Sequence, residues 1–521
     1  MRYIMKKIKA LLLIAMAACL LLTGASAQGN DRQSLILGIV SATTNRTNPL
    51  TPVEREFMSL TALVYESMIV LDDDYLPKPH LADKWESSGE GSTWTFTLRE
   101  GVTFHDGTPL TSADVVATVN EILRLANDET NPNKGAYASL RYFINKIAAP
   151  DERTVVITTG RKNFGFLYAM NFPILPAAQV QLDNPAGSGP YRVEQFQPAD
   201  YIWLSVNSSW WGGRPAITEI SALFHTTNRE LISSYEYNRV DAILTRSMTA
   251  AQYRSSVSSL NLTYRTKQFE ALMLNHLSYE LEDVRVRKAI RAALNLNAIA
   301  QNAYMGMAMR TDTPLPSGTW MYSADDTVYR QNIELANQLL DEAGWVDTND
   351  DGIRDMVRNG KLVKLSLRFY AYEEQDNSVR LNAAAQIASQ LLTVGIEARL
   401  SVMSFKEVRE KLEAGSFDMA IASFNMDYTP DPGFLLMSGN TGNYSRYKSK
   451  AMDNLFKELR AAMTKEAYQN KLYEIQALYT EDCPFISLYY RSGAIMTRIM
   501  FTRTRDIREP EVLKGIEARA E

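Results

Sequence analysis

A chain of 521 residues with 45% hydrophobic and 22% charged side chains has the composition of a globular protein of two or three domains. Its formal net charge of −5, with no basic stripe, excludes the electrostatic footprint of a nucleic-acid binder. Two cysteines, Cys19 and Cys483, are too few for a disulfide scaffold, so core burial must carry the stability.

The first segment reads as an address. Arg2, Lys6, Lys7 and Lys9 form a basic stretch, Ala10 to Leu22 is apolar but short for a membrane span, and Ala25-Ser26-Ala27 offers a cleavage site. Residues 1–27 are therefore expected to be a signal peptide, with the mature chain starting near Gln28. A lipid anchor at Cys19 is the rival reading. It is not favoured, because Met16 stands where a lipobox carries leucine and Leu20 to Leu22 continue the apolar run. Loss of the leader makes the chain more acidic and leaves Cys483 as its single thiol. The expected location is a periplasm or the outer face of the cytoplasmic membrane.

After the leader, Leu35 to Val40 reads as an apolar strand followed by a Thr/Asn-rich loop containing Asn45. The run Leu63 to Thr118 carries its turns with it: Glu90-Gly91 marks one and His105-Asp106-Gly107 another. Between them Trp94 to Leu98 alternates at the two-residue period of a half-buried strand. Thr111 or Ser112 can then cap a helix with Asp114 in its first turn. Ala271 to Leu274 is a short apolar strand ending at Asn275. Ile333 to Ala343 has helical spacing and stops at Gly344. Leu365 to Tyr370 reads as a strand, Leu381 to Leu392 as a helix stopped by Gly395, and Ile396 to Leu400 as a strand. Ser404 and Glu407 form a capping box for a helix that Gly415 closes, and Asp418 to Phe424 is a buried strand. Strands separated by helices of about a dozen residues predict an α/β half with a mostly parallel sheet.

Several of these segments resemble, in order, the family 5 solute-binding proteins of ABC importers, which include dipeptide, oligopeptide and nickel binders. The similar segments are LVYE at 63–66, the stretch LADKWE through TFHDGTPL at 81–110, GSGPY at 187–191 and NSSWWGG at 207–213. EDVRVRKAIRAAL at 282–294, AGW at 343–345, DYTPDP at 427–432 and PFISLY at 484–489 continue the series. The resemblance implies a two-lobed periplasmic-binding-protein fold of the type II-like, cluster C kind with an extra α/β domain. Lobe I would comprise residues 28–65, 187–278 and 493–521, the extra domain 66–186, and lobe II 279–492. It also implies a receptor that works as a monomer without catalysis or cofactor, closes about a hinge on a small-molecule or peptide ligand, and delivers it to membrane permease subunits. A sensory binding protein that serves no transport is an alternative.

In peptide-binding relatives an aspartate matching Asp427 pairs with the ligand's ammonium group, which assigns that role here to Asp427, with Tyr428 beside it. Asp-Tyr-Thr-Pro-Asp-Pro is one residue longer than the family's usual segment, so Asp431 is a second candidate. The places where some oligopeptide binders carry an arginine and a tryptophan look like Ile421 and Phe424. Asn45, Asn275, Tyr370 and Tyr372 are cleft candidates by their positions at strand ends. Oligosaccharides are the main rival ligand, given 26 tyrosines, and a nickel chelate is a further one.

Asp347, Asn349, Asp351 and Asp355 have the spacing of calcium-loop oxygens with Gly352 at the sixth position, but Arg358 stands where the bidentate glutamate belongs. A weak calcium site and a plain Asx-rich turn both fit. No metalloprotease, nucleophile-elbow, P-loop or C-x-x-C motif is present, and the four histidines are scattered, so catalysis finds no constellation.

Overall fold

The computed structural model describes residues 34–51, 54–89, 91–128, 130, 135–160, 164–253, 255–256, 258–323, 330–374, 378–499 and 507–513. The expected signal peptide and Cys19 lie outside the described residues. The first strand forms as β1 (Ser34–Val40), and its loop leads to α1 (Arg55–Thr61). Strands β2 (Ala82–Ser88) and β3 (Thr93–Leu98) follow, with Trp94, Phe96 and Leu98 of β3 turned inward. Thr111 caps α2 (Ser112–Asn127) in a capping box with Asp114, as the sequence indicated. With β4 (Ile144–Asp151) and β5 (Thr154–Thr159), β2 and β3 make an antiparallel sheet in the order β2-β3-β5-β4.

Two short strand pairs, Ile69–Leu71 with Pro77–Pro79 and Asp355–Arg358 with Lys361–Lys364, stand apart, and the other described strands build one large sheet. In chain order they are β6 (Tyr191–Gln197), β7 (Tyr201–Val206), β8 (Glu219–His225), β9 (Ala242–Thr245) and β10 (Leu260–Leu274). Helix α3 (Ile333–Glu342) precedes β11 (Ser366–Tyr372), and α4 (Val379–Leu392) leads to β12 (Glu397–Met403). Helix α5 (Phe405–Ala414) then leads to β13 (Met419–Asn425), and β14 (Phe485–Thr497) closes the set. The spatial order is β12-β11-β13-β10-β14-β9-β1-β8-β7-β6, with the short strand Ala308–Arg310 added beside β14. Ser404 and Glu407 cap α5 reciprocally, and Gly415 ends it at φ 66°, a left-handed conformation that glycine adopts without a Cβ clash.

The expectation of a mostly parallel sheet needs correction. Strand β11 is parallel to β12 and β13, and β1 to β8 and β9, but β10 is antiparallel to both β13 and β14. The reason is topological: the chain enters lobe II along β10 and returns along β14, so the two must run in opposite directions. With 15 and 13 residues, these strands reach roughly 40–50 Å and belong to both lobes. Their pairing is irregular between Arg265 and Phe269 and again between Glu270 and Ala271, which twists the charged run of β10 locally.

One apolar core, including Leu37, Phe57, Trp94, Phe166 and Ile495, runs continuously through lobe I and the unit expected over 66–186. Lobe II is buried on both faces of its sheet. Leu272 and Leu274 of β10 pack into one core with Ile290 and Ile387, while Phe269 and Met273 pack into another with Phe456 and Tyr468. Cys483 is a buried free thiol ending the helix Lys465–Asp482. Among the described residues no helix is long and apolar enough to cross a membrane.

Candidate functional site at the lobe junction

The similar segments of the N-terminal half meet at one carboxylate. Glu66 is buried, and it accepts hydrogen bonds from Ser188 Oγ (2.9 Å), Trp210 Nε1 (2.9 Å) and Trp211 Nε1 (3.1 Å). His80 Nε2 lies 3.2 Å from its Oε1. A Cβ on Gly189 would come within 2.5 Å of the Leu63 carbonyl oxygen, so glycine is what lets the 187–191 turn lie against the chain leading to Glu66. His105 bonds the Gly189 carbonyl at 3.0 Å, and burial holds its pKa below the ordinary imidazole value. Glu66, His80, Trp210 and Trp211 form one wall of a cavity of about 400 Å³, to which Met58, Tyr65 and Tyr137 contribute. That volume lies in the range of small-molecule sites.

A second, smaller pocket of about 30 Å³ sits where β10 and β14 pass between the lobes. It has room for about two water molecules in this arrangement of the lobes. Its walls include Tyr75, Arg265, Lys267, Asp427, Tyr428 and Tyr490. Arg265 Nη1 donates to Tyr75 Oη at 2.8 Å, and Tyr490 Oη donates to the Pro314 carbonyl at 2.7 Å. Asp427 Oδ1 accepts the Thr429 N–H at 2.9 Å. Asp427 is open to solvent yet crowded by its walls. That desolvation raises its pKa above the ordinary carboxylate value, against the opposing pull of Lys267. Burial likewise lowers the pKa of Lys267, against Asp427 and Glu509.

One side of the pocket is sealed by residues 507–509. Arg265 N–H donates to the Ile507 carbonyl (2.9 Å) and Glu509 N–H to the Arg265 carbonyl (3.0 Å), so this segment lies beside β10 as a one-bridge strand. Glu509 Oε2 accepts the Lys267 N–H at 3.1 Å, and the Tyr428 hydroxyl donates to the Glu509 carbonyl. The Arg508 guanidinium lies 4.2 Å from the Tyr75 ring centre and 5.7 Å from that of Tyr428, and donates to the Leu71 and Asp72 carbonyls. Pro510 and Glu511, which follow, line the larger cavity.

Further along the same strands lies a different cluster. Glu270 is fully buried and meets Arg380 Nη2 (2.7 Å), Arg491 Nε (2.7 Å) and Tyr304 Oη (2.5 Å). Glu374 pairs with both arginines, at 2.9 and 2.8 Å. Burial alone would raise the Glu270 pKa, but the two arginines outweigh it and hold the carboxylate at about 2.

A sequence profile of the bacterial extracellular solute-binding proteins, family 5 Middle, matches residues 77–446. The chain belongs to family 5. Among its relatives, the oligopeptide-binding protein AppA of Bacillus subtilis is 24% identical over 90% of this chain and 87% of its own length. The dipeptide-binding protein of Escherichia coli is 25% identical over 74% of this chain and 75% of its own. Of solved structures, NikA from Brucella suis in complex with Fe(III)-EDTA superposes with a TM-score of 0.79 at 20% identity, covering 93% of this chain and 99% of that one. The AppA structure from Bacillus subtilis in complex with a nonapeptide gives 0.70 at 22% identity, covering 94% and 100%. These likenesses establish the two-lobed α/β fold. Family 5 proteins are substrate receptors and not enzymes, and this chain is one of them.

Within this family 5 receptor, the structure brings together Asp427 and Tyr428 but sends the other sequence candidates elsewhere. Asn275 is buried, donates to the Gly415 and Phe417 carbonyls at 3.0 and 2.7 Å and accepts the Leu277 N–H, which makes it a loop anchor. Asp431 accepts from Arg460 at 2.6 and 3.1 Å, an ion pair that holds it off the cleft. Phe424 stacks with Phe269 and Tyr444, Tyr370 is buried in the same core, and Tyr372 packs on Arg380 and Phe405. Asn45 is exposed and accepts from Arg46. In the acidic loop, Asp347 and Asn349 accept the Asp351 N–H, Asp351 pairs with Lys364, and Asp355 faces Thr348. Asx-turn bonds are thus present in the loop, and among the described residues no three acidic, histidine or cysteine groups converge as metal ligands. Sequence reasoning missed Arg265, Lys267, Tyr75 and the 507–511 segment. The one local signal was the alternation of Arg265 and Lys267 ahead of the apolar end of β10.

Proposed function

We propose that this chain is the exported receptor of an ABC importer, and that it captures a small peptide between its lobes and presents it to the permease. The carrying observation is Asp427, a carboxylate open to solvent in the interlobe pocket and crowded enough that a ligand's ammonium group would relieve its desolvation. In this reading the lobes part about β10 and β14 to admit the peptide and close again on it, and water leaves as each polar contact strengthens. No cofactor takes part.

A second reading rests on the larger cavity, whose wall includes Tyr65, Tyr137, Trp210 and Trp211. Aromatic faces suit a sugar ring or the flat body of a nickel chelate as well as a peptide side chain. The test is a thermal-shift series on protein unfolded and refolded to strip bound solute. A ligand at ~100 times its dissociation constant adds about 2.7 kcal/mol to stability. A shift with a tripeptide pool that vanishes on N-acetylation, and in Asp427→Ala, supports the peptide reading. A shift with oligosaccharides or nickel–histidine alone replaces it with the second.

A further inference from the structure

We propose that the larger cavity is a second ligand site, separate from the interlobe pocket, and that it takes an alkylated ammonium cation. This assignment goes beyond the peptide reading and does not depend on it.

The first ground is the chemistry of the walls. The cavity of about 400 Å³ is lined by the rings of Tyr65, His80, Tyr137, Trp210 and Trp211 and by two carboxylates, Glu66 and Glu511. No lysine or arginine stands among its described lining residues. Aromatic rings and acidic groups without a wall cation favour positive charge carried on apolar carbon, and an anionic ligand would meet like charge there.

The second ground is how Glu66 is held. Several other buried carboxylates of this fold meet an arginine: Glu270 meets Arg380 and Arg491, Glu56 meets Arg246, and Asp418 meets Arg368. Glu66, among the described residues, meets Ser188, Trp210 and Trp211, which are neutral, and His80. No guanidinium or ammonium of the fold pairs with it there, so its charge is held without a permanent counterion. At the same time four groups crowd its two oxygens, which fills the acceptor sites of a carboxylate. A bare ammonium or a guanidinium entering the cavity would find no free acceptor on Glu66 for its N–H groups. An alkylated ammonium needs none, and it gains from the fixed negative charge and the ring faces together. The Arg99 guanidinium, which lies 4.1 Å from the Trp211 ring centre and pairs with Asp83 at 3.8 Å, shows that this tryptophan accepts a cation.

The third ground is place. The cavity and the interlobe pocket share no lining residue. The cavity is cut into the continuous core of lobe I and the unit expected over 66–186, to which Leu63, Tyr65 and Leu513 belong. The His80 and Trp211 rings meet edge to face at 5.2 Å, and Trp210 lies 5.7 Å from Trp211, so the three make a packed corner of the wall. Its shape is therefore set within one body and does not wait for the lobes to close.

The test is calorimetric titration of the refolded mature chain with choline, with ethanolamine, and with dimethylbutanol, the neutral analogue of choline in which carbon replaces the ammonium nitrogen. The wild type is expected to bind choline about tenfold more tightly than either of the others. Glu66→Gln is expected to bring choline and dimethylbutanol within about twofold of each other. If that variant fails to fold, Glu511→Gln replaces it in the same comparison. Asp427→Ala, which removes the interlobe carboxylate, is expected to leave choline binding as it was. No choline binding to the wild type overturns the assignment, as does equal affinity for choline and either analogue, or a preference unchanged by the glutamine variant. Loss of choline binding in Asp427→Ala overturns it too, by placing the cation in the interlobe pocket. The tripeptide shift is measured apart from these outcomes, so the peptide reading stands or falls separately.

Discussion

The two charged clusters on β10 and β14 are built from the same residue types on the same strands, yet they do opposite things. Around Glu270 the charges are matched within the fold: two carboxylates face two arginines, and Tyr304 adds a hydrogen bond. In the interlobe pocket, Arg265, Lys267 and Asp427 line a space open to solvent and do not close on one another. Burial costs charge in both places. In the first the protein meets that cost itself, and in the second it does not, which is what the proposed capture of a charged solute requires. The difference separates a structural ion cluster from a receptive one more sharply than residue identity does.

The largest expected effect comes from breaking the matched cluster. Arg380→Met leaves Glu270 and Glu374 with Arg491 alone, and should lower the unfolding free energy by about 3 kcal/mol in urea titration. A loss under about 1 kcal/mol would mean the cluster relaxes by admitting water, and the contrast with the pocket would weaken. Acid should then distinguish the two sites in sequence. The Glu270 pKa is depressed to about 2, so its contribution is fully present above its unfolded value near 4.5 and is lost as pH falls through 2. The Asp427 pKa is raised above 3.8, so this carboxylate takes up its proton first. Peptide affinity should therefore fade ahead of unfolding as the pH falls. Affinity and tryptophan fluorescence followed on the same samples check this, and unfolding that precedes the loss of affinity would erase the distinction. The smallest effect is at the seal: Tyr428→Phe removes the hydroxyl that donates to Glu509 and should cost about 1 kcal/mol by urea titration.

What could be read from the chain follows from how local each cause is. The start of α2 at Thr111, the capping box of Ser404 and Glu407 and the stop at Gly415 are set by residues within one turn, and all three form as the sequence indicates. The place of Asp427 in the pocket wall was legible because it follows an apolar strand directly. Asp431, four residues on, was not distinguishable from it, because what removes it from the cleft is Arg460, on a separate helix. Asn275 looked like a strand-end ligand, whereas its amide serves carbonyls at 415 and 417. Lys267 could not be assigned at all, since its surroundings depend on Glu509, 242 residues away. The antiparallel pairing of β10 was hidden for a related reason: it is a property of the return along β14, and nothing in β10 itself records it.

Arg508 and Glu509 also tie together parts of the chain that local folding cannot join. They reach back to the Leu71 and Asp72 carbonyls and to β10, so one short segment backs the pocket wall. A cut or deletion that removed this segment would leave β10 and β14 paired in the sheet and take the back wall away, so the pocket would be lost before the fold.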